Sequence, residues 1–150
     1  MREPKRDFKR LTTDDINRLL ASCPEDVAPV VMFALMTGLR KNNILRLQWW
    51  QVNLNDKAVY IPASEHKSKD HVTCHLSDEA VQLLQHQLNN KCSDFVFVNV
   101  LGKQMRDIKC EPWKAIVKKA KLEGLRFHDL RHVWATQHIQ QGTELMALKE

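Results

Sequence analysis

The sequence predicts an α+β domain that is mainly helical, with its helices set around a small three-stranded antiparallel sheet. Three observations point there. Apolar residues recur at helical spacing over most of the 150 residues. Between Gln51 and Leu76 that period gives way to strand-like alternation, interrupted by one polar turn and one basic stretch. Capping and breaking residues fall where the periodic segments start and stop: Thr12 and Thr13, Cys23-Pro24, Gly38, Ser77, Pro112 and Gly142.

The elements follow in order. Residues 1–10 form a basic, proline-containing arm, expected to be a flexible linker, and residues 11–150 the domain proper. Thr12 or Thr13 caps a first helix, Asp14 and Asp15 suit its positive end, and Ile16, Leu19 and Leu20 make its apolar stripe. Cys23-Pro24 ends it. From about Asp26 to Met36 the chain is apolar nearly all round, which marks a buried helix; Pro29 fits only in its first turn. Gly38 closes that helix, and Ile44, Leu45 and Leu47 belong to a short third one. Strands are expected at Gln51–Leu54, Ala58–Ile61 and His71–Leu76, with a turn at 55–57. Ser77-Asp78-Glu79 starts a helix carrying Ala80, Val81, Leu83, Leu84 and Leu88. Phe95–Val98 is a short extended piece. Pro112 opens a helix running from Trp113 to Ala120, and a last long helix runs from His128 to Gln141. Thr143 to Glu150 reads as the start of a further helix, so the end of the sequence looks like a truncation.

Composition narrows the function classes. A hydrophobic content of 43% with 27% charged residues is ordinary for a globular protein. A net charge of +5 and a pI near 9.1 favour a polyanionic partner, nucleic acid before an anionic membrane surface. The longest apolar run, Val27 to Met36, is too short to span a bilayer and is broken by Pro29. The charged N-terminus has no apolar segment behind it, which excludes a secretory signal. Cys23, Cys74, Cys92 and Cys110 are scattered, with no C-x-x-C pair, as expected of reduced thiols in a cytoplasmic protein rather than a zinc site or a disulfide framework. No metal or other cofactor is implied.

Three clusters carry candidate chemistry. Arg40 stands just after the glycine that ends a buried helix, where a rigid support would present its planar fork to a phosphate; helix-end arginines also commonly bond carbonyls or an acidic neighbour. In Phe127-His128-Asp129-Leu130-Arg131-His132, residues three apart share a helix face. His128 and Arg131 are therefore expected to point one way, and Asp129 and His132 elsewhere. A histidine beside an arginine can trade a proton with a phosphoryl oxygen while the arginine neutralises charge. The third cluster is the basic hairpin with Lys67 and Lys69, flanked by His66 and His71. It is either a solvated turn or a pair of ammonium groups able to reach into a groove.

The order and company of these clusters say more than each by itself. The run Ala34-Leu-Met-Thr-Gly-Leu-Arg-Lys-Asn-Asn-Ile-Leu-Arg-Leu-Gln-Trp49 comes first. A lysine-bearing hairpin ending His75-Leu76-Ser77 follows, and then Arg126-Phe-His-Asp-Leu-Arg-His-Val-Trp-Ala-Thr136. Together they resemble the tyrosine recombinase, or phage integrase, family over essentially Leu11 to Glu150. The resemblance implies a fold, that family's catalytic domain, here incomplete at its C-terminus. It also implies four site residues. Arg40 matches the first active-site arginine, Lys67 the hairpin lysine (Lys69 the fallback), His128 the histidine of the H-x-x-R motif and Arg131 the second arginine.

In that family a tyrosine attacks the scissile DNA phosphate, giving a 3′-phosphotyrosyl link and a free 5′-hydroxyl. The arginines stabilise the pentacoordinate transition state, the lysine protonates the leaving oxygen, and no metal is needed. The parent protein is thus expected to be a site-specific recombinase, an integrase of a prophage or other mobile element, working on double-stranded DNA as a homo-tetramer. The chain departs from the pattern in two places. Its one tyrosine, Tyr60, sits on a strand, where packing is its expected role, and the family's nucleophile falls beyond Glu150. Where an acidic residue is common, three after the first arginine, stands Asn43. The 150-residue chain is therefore expected to bind DNA weakly, to be unable to cleave it covalently, and to be monomeric. A degenerate recombinase kept as a DNA-binding regulator and a type IB topoisomerase-like enzyme are the alternatives.

Overall fold

In a computed structural model, residues 10–62 and 71–140 are described, with side chains through Gln137. The arm 1–9, the hairpin tip with Lys67 and Lys69, and the expected helix after Gly142 lie outside the described residues. Helix α1 (Thr13–Ser22) starts at a capping box: Thr12 Oγ1 accepts from Asp15 N at 3.0 Å while the Asp15 carboxylate accepts from Thr12 N at 3.0 Å. Arg18 then ties α1 to the end of a distant helix through Nε to the Ala120 carbonyl, 3.0 Å. Helix α2 (Ala28–Thr37) has no polar face. Val30, Val31, Phe33 and Ala34 are all buried, and neighbouring helices surround it. A short α3 (Lys41–Leu45) follows, whose Asn43, Ile44 and Leu45 are buried.

The sheet runs β1 (Val52–Asn53), β2 (Ala58–Ile61), β3 (Val72–His75) in that spatial order, both pairs antiparallel. Val59 and Ile61 face the core and Tyr60 faces outward, the alternation read from the sequence. The first strand is shorter than expected, for a chemical reason. Gln51 belongs to a 3-10 turn, Trp49–Gln51. Its buried amide donates to the Tyr60 carbonyl at 2.9 Å, where a ladder bond would otherwise stand. Helix α4 (Asp78–Asn89) is capped by Ser77, whose hydroxyl accepts from Ala80 N. Phe95–Val98 forms no strand of its own. Isolated bridges hold it, Gln48 with Phe95 and Val98 with Gln104, and Val96 and Phe97 enter the core.

Helix α5 (Cys110–Lys119) begins two residues before Pro112, which still sits in the first turn, where its missing N–H costs nothing. Helix α6 (Asp129–Gln140) packs along α2. The core joins α2, α4, α5, α6 and the inner face of the sheet, with Phe33 and Phe97 ring to ring at 5.3 Å. All four cysteines are free, and burial pushes the Cys23 and Cys74 thiols up to about 11, which makes them poor nucleophiles. Among the described residues no helix is long and apolar enough to cross a membrane.

Candidate active site

The site forms where the end of α2 meets the start of α6. At the α2 end, Thr37 Oγ1 donates to the Phe33 carbonyl at 2.8 Å and accepts from Leu39 N at 3.3 Å. Gly38 adopts φ +69°, the left-handed conformation that costs a side-chain-bearing residue about 1–2 kcal/mol. That reversal stops α2 and lets Arg40 stand at the head of α3, exposed.

The entry to α6 is equally determined. Trp113 Nε1 donates to the Leu125 carbonyl at 2.8 Å, and the Phe127 ring meets Trp113 edge-on at 5.4 Å. Asp129 accepts from Arg126 N at 2.8 Å and from the Arg126 guanidinium at 3.3 Å. His128 lies in the turn before the helix, with Arg131 N donating to its carbonyl at 3.1 Å.

One long-range bond joins the two halves: Arg131 Nε donates to the Gly38 carbonyl at 2.8 Å across 93 residues of chain. The second arginine is thus anchored to the loop that carries the first. Burial pushes the Arg131 pKa down, and the charge of Arg40 pushes it down further, so the two guanidiniums feel one another. Among the described residues neither forms an ion pair, and the terminal nitrogens of Arg131 hold no hydrogen bond. His128 joins the group. Burial lowers its pKa first, then the charges of Arg131, His132 and Arg126, against a smaller opposing pull from Asp129. It is therefore held neutral over more of the range near pH 7 than an ordinary histidine.

One expectation needs adjusting. His132 does not point elsewhere: its ring lies edge-on to His128, centroids 5.3 Å apart. A residue four along a helix lies as near the same face as one three along, so the spacing that paired His128 with Arg131 also contained His132. Tyr60 packs as expected, on the outer face of the sheet between Trp50 (6.0 Å) and His71 (5.0 Å). Asn43, the departure from the acidic pattern, is a buried residue of α3, the helix that Arg40 heads. The structure brings Arg40, His128 and Arg131 together; Lys67 and Lys69 are not described, though the Ile61–Val72 pair sets the base of their hairpin.

Sequence reasoning missed the Gly38 carbonyl as the anchor of Arg131, because no side-chain pattern reports a backbone acceptor. The cavities at Trp49 and His86 and at Met32 and Trp134 are lined by neither arginine. Among the described residues no group of His, Cys, Asp or Glu could hold a metal ion.

Comparison with known proteins places the fold and the family. The model of the Phage integrase family matches residues 9–150. The integrase of Salmonella phage P22 is 34% identical over 152 aligned residues, covering 93% of this chain and 39% of that protein. Among solved structures, XerA recombinase superposes with a TM-score of 0.70 at 20% identity, over 93% of this chain and 54% of that one. A lambda integrase dimer bound to a core site superposes at 0.69 with 16% identity, over 99% and 58%. At that identity the superpositions speak for the fold, a tyrosine recombinase catalytic domain, of which this chain spans a little over half the length of the solved chains. With a family model matched over nearly its whole length, the chain belongs to the phage integrase family.

Proposed function

We propose that this chain is the phosphate-activating part of a site-specific DNA recombinase, an integrase that cuts and rejoins DNA strands through a 3′-phosphotyrosyl intermediate. The observation that carries the reading is the bond from Arg131 Nε to the Gly38 carbonyl, two residues before Arg40, which anchors one arginine to the loop that carries the other, with neither in an ion pair among the described residues. Two like charges held together favour an anion in front of them, and a phosphodiester is the anion this family handles. With Nε committed to Gly38, Arg131 keeps its two terminal nitrogens available as a fork for nonbridging oxygens. As charge builds in the pentacoordinate transition state, both guanidiniums are already in place and need no reorganisation.

A neutral His128 at the edge of the pair accepts or donates a proton at a phosphoryl or attacking oxygen. Lys67, with Lys69 as fallback, protonates the 5′-oxygen as it leaves. Tyr60 is not the nucleophile in this reading, since its ring is engaged with Trp50 and His71. The attacking tyrosine comes from chain beyond these 150 residues, and the whole protein works as a tetramer on duplex DNA, the 150-residue chain as a monomer that light scattering would register.

The test uses the longer protein on duplex carrying a phosphorothiolate at the scissile position, which traps the covalent adduct. Arg40→Ala and Arg131→Ala are each expected to slow adduct formation by roughly 10²–10³-fold or more, the loss typical of one fixed oxyanion donor. Binding should weaken steeply with salt in all three proteins. Salt-sensitive binding with no adduct from the unsubstituted protein would overturn the enzymatic reading and leave a DNA-binding regulator.

A further inference from the structure

Trp134 lies three residues after Arg131, so the two side chains leave one face of α6 about a turn apart. Both reach Gly38. Arg131 Nε bonds its carbonyl, and the Trp134 ring covers its Cα so closely that a Cβ there would stand 2.4 Å from Cε3 and 2.6 Å from Cδ2. Two residues on from Gly38 comes Arg40. We propose that Trp134 is a positioning residue: its ring sets how far the end of α2 stands from α6. Through the Gly38 carbonyl it thereby holds the Arg131 guanidinium in register with Arg40. The purpose assigned to that register, receiving a phosphoryl group, rests on the function proposed above.

The physics favours this over simple filling of space. An arginine side chain has several free rotors, and a hydrogen bond at Nε fixes the plane of its fork only if the acceptor itself is fixed. Gly38 is held by the bond from its N–H to the Ala34 carbonyl, 2.9 Å, the peptide after it by the bond from Leu39 N–H to Thr37 Oγ1, 3.3 Å, and its Cα is covered by a flat, stiff indole. Trp134 is half-buried, beside Met32, Leu35, Met36 and Gln137, and is not one of the fully buried side chains of the core. A residue there merely to exclude water would be replaced as well by leucine as by phenylalanine. One that spaces two backbones by the thickness of a ring would not. Positions that hold a reacting group to within a fraction of an ångström depend on such supports.

The 150-residue chain serves for the test, with ¹⁵N-labelled arginine. The Arg131 Nε–H resonance, assigned by its loss in Arg131→Lys, is followed for exchange with water and during titration with inorganic phosphate. Trp134→Phe is expected to keep the slow exchange and phosphate affinity of the unsubstituted chain. Trp134→Leu and Trp134→Ala are expected to melt cooperatively, yet exchange that proton at least tenfold faster and bind phosphate at least fivefold more weakly. Leucine and alanine variants that fold with the proton fully protected would overturn the proposal. So would failure of both to fold, because Trp134 would then be a residue the fold requires rather than one that tunes the arginines. Ring-dependent protection in chains that bind neither phosphate nor duplex DNA would uphold the spacing role and overturn the phosphate reading, so the two failures are distinguishable.

Discussion

The end of α2 and the outer face of the sheet lie on the same molecule but are built by opposite means. Around Gly38 the side chains that close the corner are distant in sequence: the Arg131 guanidinium 93 residues on, and the Trp134 ring beyond it. On the outer sheet face the contacts are more local: Tyr60 of β2 meets Trp50 of the turn before β1 and His71 just before β3, and the rings of Trp50 and Tyr60 are exposed. The difference teaches where precision can be stored. A phosphate fork needs two cations whose separation does not drift, and only the densely packed corner supplies it. The sheet supplies a base for a hairpin, and its outward side chains carry little of the fold.

The comparison predicts an ordered series of stabilities, readable by chemical denaturation. Phe33→Ala, deep in α2 against Phe97, is expected to cost the most, about 3–5 kcal/mol, since a large cavity opens where little can collapse. Gly38→Ala comes next, and its cost has two separable parts. The left-handed backbone contributes about 1–2 kcal/mol whatever surrounds it. The collision of the new Cβ with the Trp134 ring contributes about 1–3 kcal/mol more. In a Trp134→Ala background the second part should vanish and the first remain. Equal costs in both backgrounds would show that ring and glycine are not coupled, and the picture of a packed corner would fail.

The same contrast explains how much could be read from the sequence. Helices with one apolar stripe and a capping residue, such as α1 behind Thr12 and α4 behind Ser77, were legible because their causes are local. So was the three-stranded sheet, whose alternation survives in Val59, Tyr60 and Ile61. The length of β1 was not legible, because Gln51 uses its side-chain amide in place of a ladder bond. At the site, Arg40, His128 and Arg131 were picked out as candidates by motif and spacing. Their convergence depends on a carbonyl, the Gly38 oxygen, that has no signature in a string of side chains. The nearness of His132 was contained in the helical spacing and was misread.

Tyr60→Ala marks the other end of the contrast. It removes ring contacts with Trp50 and His71 that are open to water, each worth about 0.2–1 kcal/mol as a cross-strand or neighbouring pair. The expected loss is therefore under about 1 kcal/mol. It should leave the Arg131 Nε proton as protected as before. A loss as large as that of Gly38→Ala would mean that the outer face is part of the folded core's cooperative unit, and the distinction between the two regions would collapse.

The smallest expected effect is a pH dependence, and it tests whether the cationic corner is felt as one unit. Burial and the charges of Arg131, His132 and Arg126 hold the His128 pKa below its ordinary 6.5, with Asp129 opposing. In the unfolded chain those neighbours are gone and the value returns to the ordinary one. Between the lowered folded value and 6.5 the unfolded state holds more protons, so stability falls as pH drops through that window and levels off below it. His128→Gln should flatten this slope while leaving a second, more acidic loss intact. That second loss arises because carboxylates such as Asp15, held below 3.8 chiefly by the Thr12 backbone N–H, stabilise the fold above their unfolded value and cease to do so as pH falls through the folded one. Bound duplex should also shrink the His128 slope, because a phosphate set between the arginines cancels the charge that depresses the histidine. A slope unchanged by both the substitution and the duplex would mean that His128 does not sense the charge of Arg131, and it would then have no claim to a place in the proton chemistry.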